Sequence, residues 1–204
     1  FLALGDSYTI GEKVVGEECW PVQLAQQLGD SLQMPDIVAT TGWTTQELQE
    51  GIDSVVHEGA LKQKYGLVSL LIGVNNQYRG QGQEVYRREF TELLDRAIGF
   101  SENGAASVFV VSIPDYGITP FIREKPERKP ETIAQELDWY NETAAGIAAS
   151  RGAAFVDITP VSRRAAADTT LIAEDGLHPS GKMYRIWVEE QILPAVRKLL
   201  RQSI

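Results

Sequence analysis

Short apolar runs alternate along the chain with longer stretches of helical period, and that alternation limits the fold more than any other feature. It predicts parallel strands joined by crossover helices, because parallel neighbours cannot be connected by tight hairpins. Five runs read as strands: Phe1 to Leu4, Ile37 to Ala39, Gly66 to Ile72, Ser107 to Ser112 and Ala154 to Asp157, each short and bounded by Gly, Pro, Asp or Asn. The first helix is expected at about Glu17 to Leu28, where Trp20, Leu24 and Leu28 recur every four residues and Pro21 suits a first turn. A second runs from Thr44 and Thr45 to Val56, with Glu47 completing a capping box on Thr44. A third spans Glu84 to about Phe100, its stripe made of Val85, Phe90, Leu93, Leu94 and Ala97, with Arg87, Arg88, Glu89 and Glu92 facing water. Two more are expected near Ile133 to Ser150 and Ser180 to Arg201. Pro114 to Pro130, rich in proline and charge, breaks the rhythm and reads as a long loop after the fourth strand, either a lid or a solvated connection.

Composition narrows the classes of function. With 204 residues, 43% of them hydrophobic, and no internal linker, the chain is expected to form one domain over residues 1–204. A net charge of -9, from 19 basic and 28 acidic residues, argues against a nucleic-acid partner. Cys19 is the sole cysteine, so neither an intrachain disulfide nor a cysteine-rich metal site can form. No apolar run approaches the roughly 20 residues of a transmembrane segment, so a soluble protein is expected. The start at Phe1 without Met fits a trimmed or mature form whose leader has been removed, with secretion or a periplasmic location compatible.

Ligands of open α/β sheets bind at the carboxyl ends of the strands, near the point where strand order reverses. In the order 2-1-3-4-5, Ser7 follows strand one, Gly42 strand two and Asn75 strand three, which sets three loops side by side with Ser7 in the centre. Serine is a poor nucleophile unless a neighbouring base takes its proton, and histidine can both accept and return one. There are two histidines: His57 lies at the end of the second helix, away from that edge, whereas His178 follows Asp175 by three residues just before the last helix.

Gly5-Asp6-Ser7, a glycine after the second strand, Gly73-Val74-Asn75 and Asp175-Gly176-Leu177-His178 together resemble the four blocks of the SGNH (GDSL-type) hydrolases. Their order and spacing match over nearly the whole chain. The resemblance implies a three-layer α/β/α sandwich with a five-stranded parallel sheet of flavodoxin-like order 2-1-3-4-5. It further implies a carboxylic ester hydrolase in which Ser7 is the nucleophile, His178 the base and Asp175 the residue that orients the imidazole. The oxyanion hole would be the amides of Ser7 and Gly42 and the side chain of Asn75, with no metal and no cofactor. Two positions depart from the pattern: Asn76 stands where aspartate often follows the oxyanion asparagine, which puts a supporting hydrogen bond in question, and Tyr8 replaces a common leucine.

Other assignments compete at single positions. Asp6 reads as a helix cap and not as a catalytic acid, while Asp157 and Asp168 are the acids that would replace Asp175. Trp43, Tyr78, Tyr116 and Phe121 fall in loops at the active edge and are candidates to line an acyl or sugar site, although packing explains each as well. The family's esters include short acyl esters, thioesters, lysophospholipids and acetylated carbohydrates. The absence of a strongly apolar lid helix favours a small ester over a lipid aggregate. A noncatalytic carbohydrate- or acyl-binding module retaining the site is the alternative from a different class. Nucleotide binding is opposed by the lack of a Gly-x-Gly-x-x-Gly or Gly-Lys-Ser/Thr loop, and a zinc hydrolase by the distance in sequence between the two histidines.

Overall fold

The computed structural model describes residues 1–202. Five parallel strands, β1 (Leu2–Gly5), β2 (Asp36–Ala39), β3 (Val68–Leu71), β4 (Val108–Val111) and β5 (Ala154–Val156), pair in the order β2-β1-β3-β4-β5. The expected order therefore holds. The three inner strands are wholly buried and the edge strands β2 and β5 only partly so, as a parallel sheet covered on both faces requires.

The helices are α1 (Ser7–Ile10), α2 (Trp20–Leu28), α3 (Thr45–His57), α4 (Val74–Tyr78), α5 (Gln83–Phe100), α6 (Pro120–Arg123), α7 (Pro130–Arg151), α8 (Thr159–Ser162), α9 (Gly181–Trp187) and α10 (Leu193–Gln202). Helices α3, α5 and α7 pack side by side against the sheet, and α2, α9 and α10 form a second group, giving three layers. The core between layers is aromatic as well as aliphatic. Trp20 of α2 stands edge-on to Phe109 of β4, with the rings of Phe1 and Phe109 stacked beside them.

Three local expectations shift. On α5 the inward position is Tyr86, fully buried, while Val85 is only half-buried, and Glu89 turns inward with 12% of its side chain exposed to hydrogen bond Thr45. Pro114 to Pro130 is not a bare loop: a 3-10 turn at Tyr116–Ile118 and the short helix α6 fold it back over the sheet edge. The last helix is broken. A π-helical segment, Val188–Ile192, separates α9 from α10 immediately before Pro194. Proline has no N–H for the carbonyl four residues back and its ring collides with it, and a widened turn relieves that collision.

The sheet register brings the working edge together. Gly5 lies level with Ala39 on one side and Leu71 on the other, so the chain leaves β1, β2 and β3 at the same height. Among the described residues no helix is long and apolar enough to cross a membrane.

Candidate active site

Ser7 opens α1 directly after β1 and is 95% buried, with the rest of its surface facing a cavity. Asp6 caps that helix, its Oδ1 accepting the Tyr8 amide at 3.0 Å. The other oxygen, Oδ2, is buried without a partner, and burial pushes the carboxyl up to about 7 against the opposing bond from Tyr8. The sequence reading of Asp6 as a cap describes its placement.

Asp175 and His178 sit in the turn before α9. Asp175 Oδ1 accepts the amides of Leu177 and His178, both at 3.0 Å, which leaves Oδ2 2.6 Å from His178 Nδ1. Burial works against the charged carboxyl, but the bonds from the imidazole and the two amides outweigh it and hold Asp175 below the usual carboxylate range. An ionised carboxylate only accepts, so Nδ1 carries the proton and Nε2 is left with a free lone pair. The other candidate acids are engaged elsewhere: Asp157 accepts from Ser112 and Thr159, and Asp168 is bound by Lys182 and Thr170, which pull it down to about 2. His57 is exposed at the end of α3.

Gly73, Val74 and Asn75 follow β3. Gly73 caps α4 at φ +131°, and a Cβ there would come within 2.7 Å of the Tyr86 ring and 2.9 Å of Ile113, so both conformation and space call for glycine. Asn75 Nδ2 donates to the Trp43 carbonyl at 2.9 Å, which orients the amide group and ties the loop after β3 to the loop after β2. Gly42 has φ +85°, while a Cβ would find only the Arg79 guanidinium at 3.7 Å; its conformation, not protein crowding, is what requires glycine. Arg79 fixes this loop by donating to the Gly42 carbonyl at 2.6 Å while pairing with Glu47 at 3.1 Å.

The departure at Asn76 has a structural account. Its Oδ1 accepts the Thr45 amide, and its Nδ2 donates to Thr45 Oγ1 at 2.6 Å and Gln81 Oε1 at 2.8 Å. An ionised aspartate could accept the first but donate neither of the others, so the supporting bond exists here in amide form.

One cavity of about 200 Å³ is lined by Ser7, Tyr8, Asn75, Tyr78, Tyr116, Phe121 and His178, with Val74 and Leu177 completing the wall. Tyr78, Tyr116 and Phe121 thus lie where an active-edge position predicts. Trp43 and Gly42 are not among the lining residues; the Trp43 ring packs on Gly51 of α3, so tightly that a Cβ at 51 would meet it at 2.1 Å. Val74 and Leu177 stand inside the quoted motifs but were not expected to line the cavity. The Tyr8 ring centre is 5.8 Å from that of His178. Among the described residues no three His, Cys, Asp or Glu side chains converge in a way that could hold a metal ion.

Serine, asparagine and a histidine paired with aspartate thus meet at one cavity at the carboxyl edge of a doubly wound parallel sheet, where ligands of such sheets bind. Residues 3–186 match the GDSL-like Lipase/Acylhydrolase family, and the chain belongs to it. Among solved structures it is similar to TesA, at 16% identity with a TM-score of 0.68, covering 97% of this chain and 98% of that one. It is also similar to Axe2, an acetylxylan esterase from Geobacillus stearothermophilus (19%, TM-score 0.65, 98% and 92% covered). A third is the psychrotrophic esterase EstA from Pseudoalteromonas sp., solved in a monoethylphosphonate-inhibited form (16%, TM-score 0.62, 99% and 94%). At these identities the likeness is one of fold. By sequence, no curated protein matches the chain. Family membership supports ester hydrolysis at the level of the family.

Proposed function

We propose that this protein is a serine esterase that cleaves small acyl or acetyl esters through an acyl-enzyme on Ser7. The observation that carries the reading is the Asp175–His178 contact of 2.6 Å, with the imidazole and Ser7 lining the same cavity. His178 Nε2 takes the Ser7 proton as the hydroxyl attacks the ester carbonyl, and the imidazolium returns that proton to the departing alcohol. The charged Asp175 holds the ring in the tautomer this requires. The oxyanion is received by the amides of Ser7 and Gly42 and by the Asn75 side chain, donors worth several kcal/mol at comparable sites. Water activated by the same histidine then releases the acid.

The size and character of the cavity favour a small substrate. At about 200 Å³ it falls below the roughly 300–1,000 Å³ typical of drug-sized ligand sites. Its largely aromatic and aliphatic walls suit an acyl group. Among proteins of this fold, the acetylxylan esterase acts on an acetyl ester and the psychrotrophic esterase is inhibited by a phosphonate, which agrees with a small acyl group and an activated serine. Hydrolysis of p-nitrophenyl acetate, butyrate and octanoate tests the reading: kcat/KM is expected to be highest for the two shorter esters. No turnover of any ester by folded protein would transfer the assignment to a noncatalytic acyl- or carbohydrate-binding module.

A further inference from the structure

The strongly charged stretch between α6 and α7 contains one residue that reaches back to the cavity. Arg128 donates from one guanidinium nitrogen to the Tyr78 carbonyl at 2.8 Å and lays the guanidinium over the Tyr78 ring at 4.0 Å. From another nitrogen it meets the Tyr116 hydroxyl at 3.3 Å. Tyr78 and Tyr116 stand edge to face, 6.1 Å between centres, and both line the cavity. The Tyr116 hydroxyl in turn donates to Gln77 Oε1 at 2.6 Å, and Gln77 Nε2 donates to Glu136 on α7 at 2.5 Å. A single cation therefore joins two walls of the cavity that belong to distant segments, α4 and the turn after β4.

Surface arginines normally pair with carboxylates, and this one spends its planar fork on a ring face, a carbonyl and a phenol. A planar guanidinium can stack and donate sideways at once, which an ammonium cannot. The segment that carries it, Glu124 to Lys129, makes few buried contacts of its own. The arrangement has the form of a strap whose interior end is Arg128.

We propose that Arg128 is a specificity-determining positioning residue, which limits acyl chain length by clamping Tyr78 and Tyr116 in the wall of the cavity that holds Ser7. This rests on the esterase reading and adds to it the feature that keeps the pocket short. Arg128 touches no reacting atom; its effect passes through the two tyrosines. Releasing them lets the rings turn aside, so that longer chains gain room while the chemistry at Ser7 is unaltered.

The test compares wild type with Arg128→Ala and Tyr116→Phe on p-nitrophenyl acetate, butyrate and octanoate, and on acetates of ethanol and benzyl alcohol. Ser7 labelling by a fluorophosphonate and thermal melting are recorded for each protein. Arg128→Ala is expected to raise the octanoate-to-acetate ratio of kcat/KM about tenfold, the scale of a methylene or two in an apolar pocket, mainly through a lower KM for octanoate. Tyr116→Phe, which keeps the ring but loses both hydroxyl contacts, moves the ratio in the same direction by less. The ratio between the two acetates stays as in wild type. An unmoved acyl ratio in labelled, active variants overturns the proposal, as does a shift confined to the alcohol series. Wild type that neither turns over nor labels would instead fail the esterase reading, and the proposal with it.

Discussion

Asp175 divides its two oxygens between two tasks, and the division makes a sharp prediction. Oδ1 accepts two backbone amides and Oδ2 faces the imidazole, so an asparagine at 175 keeps its carbonyl on the amides and turns its NH2 toward His178 Nδ1. Nδ1 must then accept, the proton moves to Nε2, and the base is lost without disturbing the turn. Asp175→Asn is expected to lower kcat by about 10³–10⁴-fold, since a wrong tautomer has that cost in comparable triads, with a somewhat lower melting temperature at neutral pH because the ionised carboxylate stabilises the fold; a loss of less than tenfold would show that some other group orients the ring. Asp6 gives a second prediction, about stability. Its carboxyl titrates near 7 in the fold and near 3.8 when unfolded, so the folded state binds more protons between those values and Asp6 erodes stability as pH rises from about 4 to 7. Asp6→Asn keeps the cap and abolishes the buried charge. Melting curves should show its advantage over wild type growing across that window and level above it; a constant difference would contradict burial of the carboxylate. Asp175, held low, acts in the opposite sense and only in more acidic solution, where its stabilising bonds are lost on protonation.

At the scale of elements, the strongest local signals coincide with what forms. The Thr44–Glu47 capping box is complete, with Thr44 Oγ1 accepting the Glu47 amide and Glu47 Oε2 accepting the Thr44 amide. Because Glu47 also pairs with Arg79, which holds the Gly42 carbonyl, the start of α3 is tied to the loop after β2. Thr44→Ala is expected to cost about 1 kcal/mol in urea unfolding, the usual worth of such a cap. No change would mean the helix start is fixed by the Asn76 contacts instead. Most long helices and the strands were legible from their apolar patterns, although α7, the longest, has only a weak apolar face. The short helices α1, α4, α6 and α8 were not, since four or five residues hold no period and form only where tertiary contacts fix both ends. The π segment was not expected, because the apolar pattern through Trp187, Val188, Ile192 and Val196 runs on past it; Pro194, two residues beyond it, is the signal that could have found it.

Across the whole molecule, the sheet is both scaffold and core, so stability and site geometry are not separable. Phe109, fully buried between Phe1 and Trp20, joins the central sheet to α2, the helix that follows the Ser7 loop in sequence. Phe109→Ala is expected to destabilise by about 3–5 kcal/mol in chemical denaturation, through lost transfer energy and the cavity left behind; a loss under about 1 kcal/mol would show that this layer collapses freely. The strand order that the family resemblance implies was enough to bring Ser7 and Asn75 to one edge and to favour His178 over His57. What sequence could not supply was the cavity wall. Trp43 turns to Gly51 and leaves the lining, while Tyr78, Tyr116 and Phe121 enter it, because side-chain direction depends on packing that periodicity does not encode. Ser7 as the nucleophile is the central element of the proposed mechanism. Intact-mass and peptide-level mass spectrometry of wild type and Ser7→Ala after fluorophosphonate treatment, with ester turnover measured alongside, tests that most directly. One adduct per chain is expected on Ser7, none in Ser7→Ala, and a loss of at least about a thousandfold in kcat in that variant. An adduct elsewhere, or near wild-type turnover by Ser7→Ala, would contradict that role.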